Sequence, residues 1–218
     1  QAYGNMGDYS QVALLLAQAL EMQQAMSNRW EEMLILNELG ILYTTVGQYN
    51  TAFGYLEHAI DSSRAIESEI GLAYILCNLG QAQRDAGRLY EAKQTLNEGL
   101  LLAQHQGDVT LEAIYLSDAA MTSLRAGKYA AAREQAERSL GIFEQLQQPL
   151  SSTGVYATLS AAQLGLGNYA AAQAAAEAAL SILDDCMGEG PDFPHRDYWL
   201  CARTFAALGD VQGAKHAE

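Results

Sequence analysis

The chain has 218 residues, of which 50% are hydrophobic, so it can bury a substantial core and is not mainly disordered. Its 12 lysine and arginine residues against 26 aspartate and glutamate residues give a formal net charge of −14. This charge repels the phosphates of nucleic acids and anionic lipids, so we expect neutral or basic protein or peptide partners and no contact with nucleic acid or membrane.

The cysteines and the chain start carry information about location. Cys77, Cys186 and Cys201 form neither a Cys-x-x-Cys pair nor an even disulfide framework, which is typical of reduced thiols and predicts a cytoplasmic location. The first residues lack the pattern of a secretion signal, and no apolar run reaches the roughly eighteen residues that cross a bilayer. The sequence begins without methionine and in mid-repeat, so we expect it to be part of a longer polypeptide.

A glycine followed two residues later by tyrosine, leucine or valine recurs at intervals of 40 residues and finally 42. The recurring glycines are Gly7, Gly47, Gly87, Gly127, Gly167 and Gly209. A period of about 20 to 50 residues indicates a stack of similar structural units. Because helices commonly end at a glycine in the left-handed conformation, each glycine is predicted to mark a corner between two helices.

Two helices per repeat follow from the apolar pattern around each glycine. Residues five, nine and thirteen positions after it, such as Ala52, Leu56 and Ile60, share one helical stripe and predict helix B. A second pattern before the glycine predicts helix A, in which the position seven residues before the glycine is always small. Small residues there, such as Gly40 and Gly80, allow the two backbones to approach closely in an antiparallel hairpin.

The segment LNELGILYTTVGQYNTAFGYLEHAI, residues 36–60, resembles the tetratricopeptide repeat (TPR) family. The shared features are Leu-Gly and tyrosine in helix A, and Gly-x-Tyr-x-x-Ala in helix B. The resemblance covers nearly the whole chain and implies an all-α, TPR-like α-solenoid, a right-handed superhelix of antiparallel helix pairs. The period of 40 exceeds the commonest family period of 34, so we expect longer helices. Armadillo and HEAT repeats share a period near forty but lack this motif order.

The pattern predicts a single TPR solenoid over residues 1–218. Its expected units are a partial repeat with helix B at 1–27, repeats at 28–67, 68–107, 108–147 and 148–187, and an irregular loop with a terminal repeat at 188–218. Repeats of this length are similar to those of kinesin light chains, GoLoco-binding spindle adaptors, and C-terminal sensor regions of bacterial signal-transduction ATPases and transcriptional activators. The alanine- and glutamine-rich style is most similar to the bacterial group, which implies a sensor or interaction module of a larger regulator.

A TPR superhelix implies a concave groove lined mainly by helices A, where a partner would contact the residues that do not face helix B. The predicted groove residues are Asn37, Glu38, Ile41, Tyr74, Asn78, Gln81, Arg84, Asp118, Met121 and Arg125. Asn37 and Asn78 are the first choices, because a side-chain amide can both donate to and accept from a peptide backbone. Arg84 and Arg125 bind either an acidic side chain of the partner or a carboxylate within the chain, and both possibilities stay open.

Two other recurring features have structural explanations. Helix A of the fifth unit carries small residues, among them Gly154, Ala157 and Ala161, and these favour close packing over a shallow apolar groove. The tyrosines at the second position of helix B are predicted to pack against the next helix A: Tyr9, Tyr49, Tyr129 and Tyr169.

No set of residues predicts a catalytic site, a cofactor or a metal. The four histidines occupy unrelated repeat positions and do not converge with a nucleophile. The acidic segment 184–195 lacks the ligand order of a calcium loop, and Cys186, His195 and Cys201 lack the close cysteine pair and fourth ligand of a zinc site.

The sequence therefore predicts a non-catalytic scaffold that binds a protein or peptide. Two alternatives stay open: a module that senses a small-molecule inducer in the same groove, and a self-association element that uses open solenoid ends. The second would place Val12, Leu14 and Leu15 on an uncovered apolar face.

Overall fold

A computed structural model describes residues 6–185 and 194–209, and within these ranges every regular element is an α-helix. The helices are α1 (Met6–Ala25), α2 (Arg29–Thr45), α3 (Tyr49–Ala65), α4 (Glu69–Asp85), α5 (Leu89–Gln106), α6 (Val109–Arg125), α7 (Tyr129–Gln145), α8 (Pro149–Gly165), α9 (Tyr169–Asp185) and α10 (Pro194–Leu208). The predicted all-α fold of paired helices is confirmed.

The chain divides into two compact units, Gln1–Gln106 and Gly107–Glu218, here called unit 1 and unit 2. In unit 1, α2 pairs with α3 and α4 pairs with α5, while α1 packs on α2 and α3 packs on α4. In unit 2, α6 pairs with α7 and α8 pairs with α9, and α10 packs against both α8 and α9. Helices A are thus α2, α4, α6, α8 and α10, and the others are helices B.

The corners from helix A to helix B are closed by glycines with φ from 70° to 81°: Gly47, Gly87, Gly127 and Gly167. Gly209, which follows the end of α10, has φ 75°. At the first of these corners, the Gln48 amide donates to the Tyr43 carbonyl at 2.8 Å, which satisfies a carbonyl that the helix end leaves open. The prediction for Gly7 is wrong. Helix α1 begins at Met6, so Gly7 lies in its first turn and not at a corner.

The corners from helix B to helix A also repeat at an interval of 40 residues, although the residue type at the corner differs from repeat to repeat. Ser27, Glu67 and Gln147 have φ between 54° and 56°, and the equivalent residue Gly107 has φ 71°. A side chain in this left-handed conformation costs about 1–2 kcal/mol. Three corners therefore keep a conformation that their own residue types disfavour, because the packed helices on both sides require it.

Helices A and B of unit 1 touch where a glycine of A faces a leucine of B. A Cβ atom on Gly40 would overlap the side chain of Leu56, and one on Gly80 would lie 2.5 Å from Leu96 Cδ2. Both leucines are buried. The predicted close approach of the two backbones is therefore present in unit 1, and the leucines fill the space that the glycines leave.

The same repeat positions are filled differently in unit 2. Ala120 and Ser160 replace the glycines, and Ala136 and Ala176 replace the leucines. All four residues are buried. A larger residue on helix A is thus matched by a smaller one on helix B, which keeps the volume between the helices filled in both units.

The tyrosines that begin helices B pack only in part. A Cβ atom on Gly165 of α8 would lie 2.6 Å from the ring of Tyr129, and Tyr49 packs against the core of unit 1. These two follow the packing prediction. Tyr169 is 60% exposed, against 38% for Tyr129, and is the most exposed of the three.

We expect Gly40→Ala and Gly80→Ala each to lower the free energy of unfolding by about 1–3 kcal/mol, because the added methyl group overpacks the contact with leucine. The matched control is Gly54→Ala in α3, where an added Cβ atom meets nothing within 4 Å. That substitution should raise stability by about 0.5–1 kcal/mol, since alanine favours the helix. Urea denaturation followed by circular dichroism measures all three, and equal effects would contradict the close contact.

Cys201 predicts a pH dependence of the stability of unit 2. Burial, and then the nearby Asp197 carboxylate, raise the pKa of this thiol to about 12. A thiol of the unfolded chain titrates near 8.5, so the thiol contributes stability below about pH 8.5, and this contribution is lost as the pH rises toward 12. We expect the free energy of unfolding to fall between about pH 9 and 11, and to fall less steeply in Cys201→Ala. An unchanged slope in the variant would contradict this assignment.

Candidate functional site

One surface of unit 1 combines exposed apolar side chains with paired amides, and we call it the A face of unit 1. It consists of Trp30, Leu34, Asn37 and Ile41 of α2 and Ile70, Tyr74, Asn78 and Gln81 of α4. Within each helix these residues are three or four positions apart, so they share one side of the helix. Met33 and Leu36 of α2 and Leu76 and Leu79 of α4 occupy the other side and belong to the buried core.

A side-chain hydrogen bond joins the two helices of the A face. Asn78 Nδ2 donates to Asn37 Oδ1 at 2.9 Å, and both residues are half-buried. The bond uses only part of the hydrogen-bonding capacity of the two side chains, since each amide has two donor hydrogens and a carbonyl with two lone pairs. The first-choice residues of the sequence analysis are therefore neighbours, and together they retain donor and acceptor capacity.

Four large apolar side chains surround the N-terminal half of this face. Their exposed fractions are 47% for Trp30, 40% for Leu34, 63% for Ile70 and 49% for Tyr74. Trp30 and Ile70, like Leu34 and Tyr74, are 40 residues apart and hold the same repeat positions. Sequence reasoning identified Tyr74 but missed the other three. Leu34 and Trp30 lie three and seven residues before Asn37, and this helical spacing is the signal that could have located them.

Arg84 lies at the C-terminal end of α4 and is buried, with 2% of its side chain exposed. Its Nε donates to Asp85 Oδ1 at 3.0 Å and its Nη2 donates to Asp85 Oδ2 at 3.3 Å. Of the two open possibilities, the structure shows the ion pair within the chain. Among the other predicted residues of unit 1, Glu38 is exposed, and Gln81 donates to Cys77 Sγ at 3.7 Å.

The predicted residues of unit 2 are less accessible than those of unit 1. Asp118 and Met121 are buried, whereas Arg125 is exposed. Ala157 and Thr158 of α8 are also buried, in agreement with the close packing predicted for the repeat at 148–187. The described A helices of unit 2 carry one large exposed apolar side chain each: Val109 of α6, Leu150 of α8 and Trp199 of α10.

Two open cavities lie at the corners of unit 1 rather than on its A face. One of about 440 Å³ is lined by residues that include Gln48, Asn50, Phe53 and Arg88. There the Arg88 guanidinium lies 4.5 Å from the centre of the Phe53 ring. The other, of about 300 Å³, shares Gln48 and is lined mainly by residues of α1 and α2. Sensing of a small-molecule inducer stays a prediction.

The titratable groups of the described residues do not form a reaction centre. No three of their His, Cys, Asp or Glu side chains come close enough together to hold a metal ion. The raised pKa of Cys201 keeps this thiol protonated, whereas a nucleophilic cysteine needs a lowered pKa. Cys186 and the acidic residues of 186–193 lie outside the described ranges. None of the described helices is both long and apolar enough to cross a lipid bilayer.

Comparisons with known proteins agree with this fold. Residues 31–104 match the family model of the tetratricopeptide repeat. Comparison with curated proteins found no significant match.

Among solved structures, BtubC (BKLC) from P. vanneervenii is 17% identical, with a TM-score of 0.77 over 96% of this chain and 87% of that one. The apo form of RapI is 15% identical, also with a TM-score of 0.77, over 97% of this chain and 58% of that one. A putative kinesin light chain from Podosopora anserina is 18% identical, with a TM-score of 0.63 over 84% of this chain and 89% of that one. These likenesses concern the fold. The chain thus has the fold of a TPR-like helical-repeat protein, and the tetratricopeptide repeat model itself covers residues 31–104.

Proposed function

We propose that the chain is a non-catalytic scaffold that binds a protein or peptide segment on the A face of unit 1. The observation that carries this proposal is the exposure of Trp30, Leu34, Ile70 and Tyr74 beside the Asn37–Asn78 pair. Exposed apolar groups gathered on one rigid surface are typical of interaction sites.

The apolar residues would supply most of the binding energy. Tryptophan and tyrosine are enriched among the few interface residues that dominate affinity, and Trp30 and Tyr74 lie on adjacent helices that share a buried core. Because these helices are already folded, a partner would lose little free energy in ordering the surface.

The amide pair would position the backbone of the partner. An extended segment that crosses α2 and α4 would find amide donors and acceptors of Asn37 and Asn78 side by side, whatever its own side chains are. Apolar anchors and amides would then act together, the anchors selecting large side chains and the amides setting the register.

The charge around the A face favours a neutral or basic partner. Glu31 and Glu38 of α2 are exposed, while Arg29 of the same helix lies 3.8 Å from Glu32. Carboxylates at the rim of an interface attract basic segments and mainly raise the rate of association.

We place this binding surface in an interaction or sensor module of a larger bacterial regulator that is located in the cytoplasm. The support is the resemblance of the 40-residue repeats to the sensor regions of such regulators, together with the buried thiols of Cys77 and Cys201, neither of which is in a disulfide. The reading frame that surrounds the coding sequence tests this context, since it would reveal an attached ATPase or effector domain.

Peptides selected from a random display library against the 218-residue chain test the binding surface directly. We expect Trp30→Ala and Tyr74→Ala each to weaken binding of the selected peptides about tenfold or more, because each removes an apolar anchor. The Asn37→Ala/Asn78→Ala double variant should weaken it by a similar factor. Isothermal titration calorimetry measures the affinities.

The matched control is Leu150→Ala. Leu150 is exposed and holds in α8 the repeat position that Trp30 holds in α2, so its substitution should leave the affinity unchanged. Full binding by all the A-face variants would refute the proposed site.

Self-association is a second candidate function, favoured by the surface of α1. Val12, Leu14, Leu15 and Met22 of α1 are all exposed, as is Met26, which follows its last residue. In the complete repeats, the position of Val12 is held by an alanine that is buried against its own helix A, as Ala52 shows. These apolar side chains of α1 form the surface that a second copy would contact.

Sedimentation equilibrium tests this candidate. If α1 mediates association, the mass of the wild-type chain should rise with concentration up to about 100 μM, and Leu15→Glu/Met22→Glu should remain monomeric. Leu101→Glu is the control, since Leu101 is an exposed residue of α5. A wild-type chain that is monomeric throughout this range would rule out the second candidate.

A further inference from the structure

Helix α10 differs in charge from the other described helices. It contains Arg196 and Arg203 against one acidic residue, Asp197. Each of the other nine helices has at least as many acidic as basic residues, consistent with the net charge of the chain. A cationic surface on α10 is therefore a local exception in an acidic molecule.

The two arginines of α10 have different surroundings. Arg196 Nε donates to Asp197 Oδ1 at 3.1 Å, and the Asp197 side chain is buried. The Arg196 guanidinium also lies against Gly154 of α8, where an added Cβ atom would come within 2.9 Å of Nη2. Arg196 is thus held in the packing between α8 and α10, whereas no carboxylate of the described residues lies within ion-pair distance of the exposed Arg203.

Arg203 is instead held by an aromatic ring. Its guanidinium carbon lies 4.6 Å from the centre of the Trp199 ring, within cation–π distance. Trp199 is 55% exposed although tryptophan is a large apolar residue. Between these two positions, Leu200 and Cys201 point into the core of unit 2, so the helix backbone that carries the pair is anchored.

This arrangement leaves the guanidinium with the chemistry of a carboxylate receptor. Stacking on the ring satisfies none of the five N–H donors of arginine, and the planar fork matches the two oxygens of a carboxylate. Restriction of the side chain by the ring lowers the entropy that binding would cost. The exposed part of the Trp199 ring offers an apolar contact beside the charge.

We propose that Trp199 and Arg203 form a clip for an acidic segment of a partner protein. A Glu or Asp side chain of that segment accepts two hydrogen bonds from the Arg203 guanidinium, and an adjacent apolar side chain packs on the Trp199 ring. This clip uses none of the residues of the A face of unit 1 and has the opposite charge preference. A partner that engages both surfaces would carry basic and acidic portions.

Trp199 itself provides the measurement. The chain contains two tryptophans, so in a Trp30→Phe background Trp199 is the only tryptophan reporter of fluorescence. The probes are synthetic dodecapeptides with one central Glu, followed by Leu, Phe, Tyr or a tryptophan analogue that does not fluoresce. Each probe has a twin peptide with Gln in place of Glu. Titrations are run at about 150 mM salt, where distant charges are screened.

We expect at least one Glu peptide to change the Trp199 emission in a saturable manner, and its Gln twin to bind about tenfold or more weakly. Arg203→Met should abolish the preference for Glu over Gln, and Arg203→Lys should reduce it, because lysine keeps the charge but loses the planar fork. Arg138→Met is the control, since it removes the same charge from an exposed position on α7 of the same unit. It should leave the titration unchanged.

Three results would overturn the proposal. One is the absence of any emission change up to about 1 mM of every Glu peptide, which would leave no affinity of biological use. Another is equal binding of Glu and Gln twins, which would show that the carboxylate is not recognised. The last is self-association of the wild-type chain in sedimentation that is lost in the Arg203→Met variant. This result would show that the Arg203 site is occupied by a second copy of the chain. None of these results depends on binding at the A face of unit 1.

Discussion

The close contact between helices A and B is the constraint on which the rest of the structure depends. In unit 1 it is made by Gly40 with Leu56 and by Gly80 with Leu96. A glycine on helix A lets the leucine of helix B enter the space that a side chain would fill, and this contact fixes which side of helix A is buried. The residues on the opposite side, including Trp30 and Tyr74, are exposed as a consequence.

The two units use the same repeat positions for different purposes. Positions that hold the exposed Leu34 and Tyr74 in unit 1 hold Ile114 and Gly154 in unit 2. Gly154 lets Arg196 of α10 lie directly against α8, where a side chain at this position would meet the guanidinium. The repeat thus sets the backbone, while the side chains at its outer positions decide whether that side of the helix is packed or exposed.

The two proposed binding surfaces also differ in charge. The chain is strongly acidic, and the exposed Glu31 and Glu38 extend that character to the A face of unit 1. On α10, by contrast, the Asp197 carboxylate is paired with Arg196, and Arg203 stacks on Trp199. Net charge describes the long-range field, but a single ordered guanidinium sets the preference at its own site, where a partner displaces the water that screens it.

The sequence by itself determined the helix pairs and the glycine corners. The signals for them are the 40-residue period, the helical spacing of apolar residues and the left-handed preference of glycine, which are local and recur in each repeat. It also indicated the amide positions Asn37 and Asn78. Only the tertiary structure decided that these amides bond to each other, that Arg84 is buried with Asp85, and that Trp30 and Ile70 are exposed. It also decided that Ser27, Glu67 and Gln147 take left-handed corners. Pairing, burial and enforced backbone conformation depend on which neighbours the stack places around a residue, and that information is not contained in the spacing of its own helix.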